Sequence, residues 1–261
     1  LWTYGLVDNV FDIHEEAKKT ATETNKPVVK GVMPDVADDD RIQKYAAFLK
    51  ELMKRSRVTT KQATASLPVS QVFHAVLTLP QVPAKELEHH VLAKVKKVLP
   101  RPIEEMQVIH QVLKDPKGAP PRRDIRVLVT AAPATLVAWY TKIFAGAGLQ
   151  LTGLETEAFA LVRSLVGLDT GVVMVVDMGA ERTNFFIIEG GVPVTHRTIQ
   201  VGGRNVNDAL VRELGVEASL VDQIKRDMGN MNGDTAWFSR LSPVVDPLIK
   251  EIQYSFDLFL H

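Results

Sequence analysis

The chain has 261 residues, 46% of them hydrophobic and 24% charged, with 31 basic residues against 31 acidic ones. That balance leaves no global positive field for nucleic acid or anionic lipid. The lack of cysteine excludes disulfide frameworks and cysteine-held zinc, and no run of about 18 apolar residues is present to span a bilayer.

The opening "LWTYGLVDNV" has no initiator Met and neither the basic start nor the apolar core of a signal peptide. The last residues, "SFDLFLH", are still in helical pattern, so both ends of a longer protein are expected to be missing. Residues 38–57 read as a helix. Asp38 to Asp40 suit its positive end, Ile42, Tyr45, Phe48, Leu49 and Leu52 form an apolar stripe, and Lys54 and Arg55 close it. A short strand, "QATASLP", follows. Over 72–148 the pattern is β-α-β-β-α. Strand "VFHAVLTLP" leads to a helix with Leu87, Val91 and Val95 on one side. Next come strand "MQVIHQVL", the Pro/Gly turn region "DPKGAPPRR" and strand "DIRVLVTAA", in which Ile125, Val127 and Val129 alternate with Arg126, Leu128 and Thr130. A helix ended by Gly146 and Gly148 completes the unit. Strand "LQLTGLETE" leaves it and helix "TEAFALVRSLVG" follows.

From about Gly171 a three-stranded meander is expected: "GVVMVVD", "TNFFIIE" and "PVTHRTIQV", with Gly190–Gly191 as the second hairpin turn. Two helices come next, from about Asn207 to Leu214 and from Val216 to Met228. A polar loop, "GNMNGDTAWFSRLS", precedes a last helix starting at Ser242–Pro243 or Asp246–Pro247, with Ile249, Ile252, Phe256 and Phe259 on one face.

The chemistry concentrates in "VVDMGAERTN". Asp177 ends a strand, Gly179 permits a tight turn and close backbone approach, and Thr183 starts the next strand at D-x-G-x-x-x-T spacing. Successive backbone N–H groups in such a turn can form an anion-binding concavity. Thr183 would offer its hydroxyl to a phosphate, and Asp177 would hold Mg²⁺ through water. The plain alternative is an ordinary hairpin whose aspartate pairs with a nearby Lys or Arg. Downstream, Gly202–Gly203 precede a helix. On the helix after that, Asp222, Lys225 and Arg226 share one face opposite Val221, Ile224 and Met228. One acid and two bases so placed can hydrogen-bond a ribose and flank an adenine; the alternative is a solvated face with an internal ion pair. Glu157 begins a helix, where a carboxylate suits the dipole or can orient an attacking water. His89 and His90 point about 100° apart on their helix and do not chelate one ion together, while Glu86 and His90 have no readable third ligand. The run "KVKKVLPR" reads as a solvated helix end.

The order of hairpin, "VGG", short helix and "QIKRDMG" resembles the actin/Hsp70/sugar-kinase superfamily. "ASLPVSQVFHAVLTLP", "VLPRPIEEMQVIHQVL" and "AGAGLQLTGLETEAFALVRSL" narrow the resemblance to the PilM family of actin-like type IV pilus assembly proteins, from about residue 32 onward. The resemblance implies an α/β, actin-like (ribonuclease H-like) two-lobed fold with a small inserted β-α-β-β-α domain of the type shared with FtsA. Residues 1–68 and 149–168 would form an incomplete first lobe and 69–148 the inserted SHS2-like domain. Residues 169–230 would form the second lobe with the phosphate hairpin, and 231–261 the start of its smaller subdomain. The implied cofactor is ATP or ADP with Mg²⁺ in the intact protein, gripped by Asp177, Gly179, Ala180, Thr183, Gly202, Gly203, Asp222, Lys225 and Arg226. Ala180 stands where Hsp70-like members carry a second glycine. The first phosphate motif and the Gly-rich adenosine turn of the superfamily are absent from this chain, so little or no nucleotide binding is expected of it alone. The implied role is a scaffold, at most a slow ATPase, whose conformation responds to nucleotide. It would be cytoplasmic, peripheral to the inner membrane, and would bind the N-terminal cytoplasmic tail of PilN in a groove beside the inserted domain. Candidate groove walls are the strand 72–80 and the helix 133–147. Other pilus assembly proteins and self-association complete the implied partners. An FtsA-like division scaffold and a sugar-kinase-type phosphotransferase are the rival readings.

Overall fold

A computed structural model describes residues 39–113, 123–169, 171–230 and 241–260. The chain's first 38 residues, nearly all of the Pro/Gly turn region 115–123 and most of the polar loop 229–242 lie outside them. The described chain forms two compact units. One holds residues 39–73, 77–113 and 123–157; the other holds 74–76 and the residues from 158 onward.

In the first unit, helix α1 (Asp39–Arg55) carries acids in its first turn and Lys54 and Arg55 in its last, as the helix dipole favours. Its buried residues are Ile42 and Ala46, whereas the sequence stripe was centred on larger side chains. The reason is a close crossing with helix α3 (Ala134–Gly146). A Cβ built on Gly146 would stand 3.1 Å from that of Ala46, so two small residues let the helices approach. Strands β1 (Gln62–Leu67) and β5 (Gln150–Thr156) pair in parallel, with a register shift between Ala63 and Thr64. Strands β2 (Phe73–Pro80), β3 (Met106–Val112) and β4 (Asp124–Pro133) form a sheet in the order β2-β4-β3. Because β4 is central, Val127, Leu128 and Val129 are all buried, and the alternation expected from its sequence disappears there. Helix α2 (Ala84–Val95) buries Val91 and Val95 completely.

The helix read over 156–167 is α-helical only as α4 (Glu157–Leu161); it widens into a π-turn over Val162–Val166, closed by the Gly167 N–H donating to the Val162 carbonyl at 2.9 Å. The second unit is then built on strands β6 (Val172–Met178), β7 (Thr183–Glu189) and β8 (Val192–Ile199), an antiparallel meander in that order. Gly190 and Gly191 both have positive φ, 59° and 77°, the conformation a two-residue hairpin turn of matching twist requires. As the central strand, β7 is buried from Thr183 to Ile188. Helix α5 (Gly203–Leu214) starts four residues before the position expected. A 3₁₀ turn over Ala218–Leu220 then leads into α6 (Val221–Asn230), and α7 (Ser242–Leu260) begins at the first of its two expected starts, with Pro247 inside it. Ala209, Leu210, Val221, Leu241 and Val244 form one buried cluster that joins α5, α6 and α7. Among the described residues no helix is long and apolar enough to cross a membrane.

Candidate functional site

Antiparallel register decides what faces what at the hairpin. The β6–β7 pairing sets Met178 opposite Thr183 and Asp177 opposite Asn184, leaving Gly179 to Arg182 as the tip. The Gly179 N–H donates to the Arg182 carbonyl at 2.9 Å and closes the turn. Asn184 is 2% exposed, and its amide donates to Asp177 Oδ2 at 3.2 Å. Among the described residues, no Lys or Arg pairs with Asp177, so the ordinary ion-paired hairpin is not what is seen there.

The tip does not stand alone. The Gly203 N–H donates to the Gly179 carbonyl and the Arg204 N–H to the Ala180 carbonyl, each at 2.8 Å. Arg204 Nη1 also meets Glu181 Oε1 at 2.6 Å. The first turn of α5 is thereby strapped to the hairpin tip. Gly202 makes this possible by its lack of a side chain. Its φ of −150° is open to any residue, but a Cβ there would lie 2.7 Å from the Gly179 and Ala180 carbonyl oxygens and from the Arg182 nitrogen. The Gly202 N–H is itself satisfied by Asn205 Oδ1 at 2.9 Å. Gly202 and Gly203 therefore shape the tip, and in this arrangement their N–H groups are spent on the protein. Thr183 differs in the same way from the expected phosphate donor. Its hydroxyl is fully buried and donates to the Val201 carbonyl at 2.6 Å, tying β7 to the segment that enters α5.

Helix α6 contributes unequally. Lys225 Nζ donates to Asn207 Oδ1 of α5 at 2.9 Å and lies 3.6 Å from where a Gly203 Cβ would be. It brings a cation to the strapped tip. Asp222 stays on the exposed face, 4.0 Å from Lys225, and Arg226 donates to Gln223 Oε1 at 3.0 Å. The structure thus brings together Gly179, Ala180, Gly202, Gly203 and Lys225, with Asp177 two residues before the tip and held by Asn184. It does not draw Asp222 or Arg226 into that group. Glu157 belongs to the other unit, where its carboxylate accepts the Val69 N–H at 3.1 Å and secures the turn after β1. His89 and His90 have rings 6.2 Å apart and nearly perpendicular. Among the described residues no group of three or more His, Cys, Asp or Glu side chains could hold a metal ion.

A half-buried carboxylate with no cationic partner among the described residues suits Mg²⁺, which is held by one or two carboxylates together with waters and a nucleotide's phosphates, not by a full protein cage. Lys225, a cation beside the strapped tip, suits the phosphates. The residues present therefore fit magnesium nucleotide: Asp177 would hold the cation and Lys225 would meet the phosphates.

A family model described as type IV pilus assembly protein PilM matches residues 11–261. The chain belongs to the PilM family. Among solved structures, a PilM–PilN type IV pilus biogenesis complex is similar at 24% identity, covering 90% of this chain and 68% of that one, with a TM-score of 0.67. The cytoplasmic domain of EpsL, an inner-membrane component of the type II secretion system of Vibrio cholerae, is similar at 10% identity over 64% of this chain and 59% of that one, with a TM-score of 0.43. The ethanolamine utilization protein EutJ from Carboxydothermus hydrogenoformans matches at 24% identity over 46% of this chain and 41% of its own, with a TM-score of 0.32. The α/β actin-like fold class expected from the sequence holds, as does membership of the PilM family of type IV pilus assembly proteins. The sequence reading missed Asn184. The signal was available, since a hairpin with its tip at 179–182 places residue 184 opposite residue 177.

Proposed function

We propose that this PilM-family protein is a scaffold that binds the N-terminal tail of a PilN partner at the inner membrane, with its conformation governed by magnesium nucleotide. The observation that carries the nucleotide part is the convergence of the Asp177 hairpin, the Gly202–Gly203 turn and Lys225 on one spot of the second unit. The partner part is supported by the similar solved chain, which is a PilM–PilN complex. An extended tail would pair with an exposed strand edge and seat its side chains in apolar pockets, and β2 and α3 are the candidate walls. The reading is of a binding switch with at most slow hydrolysis.

The test uses full-length protein and a labelled peptide copied from the PilN N-terminus, followed by fluorescence anisotropy with and without Mg-ATP. The peptide is expected to bind, and Mg-ATP to change its affinity. Asp177→Asn is expected to remove the magnesium dependence of nucleotide binding and with it that change. No peptide binding in either condition overturns the partner, and an Asp177→Asn variant that responds to Mg-ATP as the parent does overturns the site.

A further inference from the structure

Three polar side chains lie on one rung of the second unit's sheet. Asp177 on β6 is registered with Asn184 on β7, and Asn184 with Thr198 on β8. Partners on one rung project to the same face. The Thr198 hydroxyl donates to Asn184 Oδ1 at 2.9 Å, and the Asn184 amide donates to Asp177 Oδ2 at 3.2 Å. The direction of this chain is chemically decided. A carboxylate only accepts, so the Asn184 NH₂ must face Asp177, and its carbonyl must then face the hydroxyl. Asn184 is almost wholly buried, where an amide left without partners is costly. A buried amide on a strand interior is therefore fixed from both ends, and it pins one carboxylate oxygen of the residue beside the hairpin tip.

We propose that Asn184 and Thr198 are positioning residues for Asp177. Thr198 sets the orientation of the Asn184 amide, which holds Oδ2 so that Oδ1 is presented to the cation of a magnesium nucleotide. This rests on the nucleotide reading above and adds to it the residues that aim its acid. Supporting groups of this kind, one step behind a metal-facing ligand, orient it and raise metal affinity.

The experiment measures nucleotide affinity of full-length protein by calorimetry, with and without Mg²⁺, for the parent, Asp177→Asn, Thr198→Val, Thr198→Ser and Asn184→Leu. The readout is the ratio of the two affinities within each variant, which a general loss of stability does not shift. Thr198→Val is expected to shrink the parent's magnesium enhancement by about tenfold, Thr198→Ser to restore it and Asn184→Leu to abolish it. Should Asn184→Leu not fold, the Thr198 pair decides. If Asp177→Asn loses the enhancement while Thr198→Val keeps the parent's value, the positioning role is wrong and the nucleotide reading stands. If the parent shows no magnesium enhancement, the nucleotide reading fails and the positioning role falls with it.

Discussion

Gly202 and Gly203 look equivalent in the sequence, but their surroundings separate them. At Gly202 an added methyl would meet three backbone atoms at 2.7 Å, none of which can swing aside. At Gly203 the nearest atoms are at 3.6 Å, ordinary van der Waals contact, and one is the far end of Lys225. Gly202→Ala should therefore destabilise by roughly 1–3 kcal/mol, the usual cost of overpacking, whereas Gly203→Ala, at the start of α5, should change stability by under about 1 kcal/mol. Urea unfolding of both variants checks the contrast, and equal effects would show that the tip is not seated on Gly202 as described. Thr183 shows the same limit of reading residues one at a time. Its place in the D-x-G-x-x-x-T pattern suggested a ligand, but the depth of β7 and the nearby Val201 carbonyl give its hydroxyl a structural partner.

Among the elements, α7 is held to β8 by chemistry as well as by apolar burial. Arg197 Nε donates to Glu251 Oε1 at 2.6 Å, and its guanidinium lies 4.8 Å from the centre of the Tyr254 ring. The Glu251 carboxylate holds the Arg197 guanidinium above its ordinary pKa, first through that hydrogen bond. The Arg197 side chain is 42% exposed and Glu251 only 13%. A double-mutant cycle of Arg197→Ala and Glu251→Ala should therefore return a coupling of about 0.5–1 kcal/mol that declines with added salt. A coupling of zero at low salt would mean that apolar packing alone seats the helix. Helix α2 was legible from its 3.6-residue apolar spacing, and the β6–β8 meander from short runs rich in β-branched and aromatic residues bounded by turn glycines. The start of α5 was not. "GGRN" has poor helix propensity, and it is helical because the hairpin tip accepts two of its first N–H groups.

For the molecule as a whole, the second unit contains a pH-sensitive pair. Burial first, then His74 and Arg197, push the His196 pKa down from 6.5 to about 4. His74, also lowered by burial, lies with its ring 6.0 Å from that of His196, and its Nε2 makes a 2.6 Å hydrogen bond with the Pro193 carbonyl. Unfolded, His196 takes up a proton near pH 6.5; folded, it does so only near pH 4. The stability that its neutral form contributes is thus fully present above about pH 6.5 and is lost as pH falls through 4, by roughly 2–3 kcal/mol. Unfolding midpoints measured between pH 7 and pH 4 should show this decline, and His196→Gln should flatten it. An unchanged slope in that variant would place the acid sensitivity elsewhere.

The sequence by itself determined the class of the strongly periodic segments and the meander with its Gly-Gly turn. These depend on spacings within a few residues, which the order of amino acids states directly. Tertiary structure alone decided the parallel pairing of β1 with β5, the burial of Leu128, the seating of the hairpin tip on Gly202, and the hydrogen bond that carries Lys225, but neither Asp222 nor Arg226, to α5. Each of those depends on which distant segment covers a group or accepts its hydrogen bond. Backbone and buried polar groups must find partners wherever the fold brings them, and no local pattern records which partner that will be.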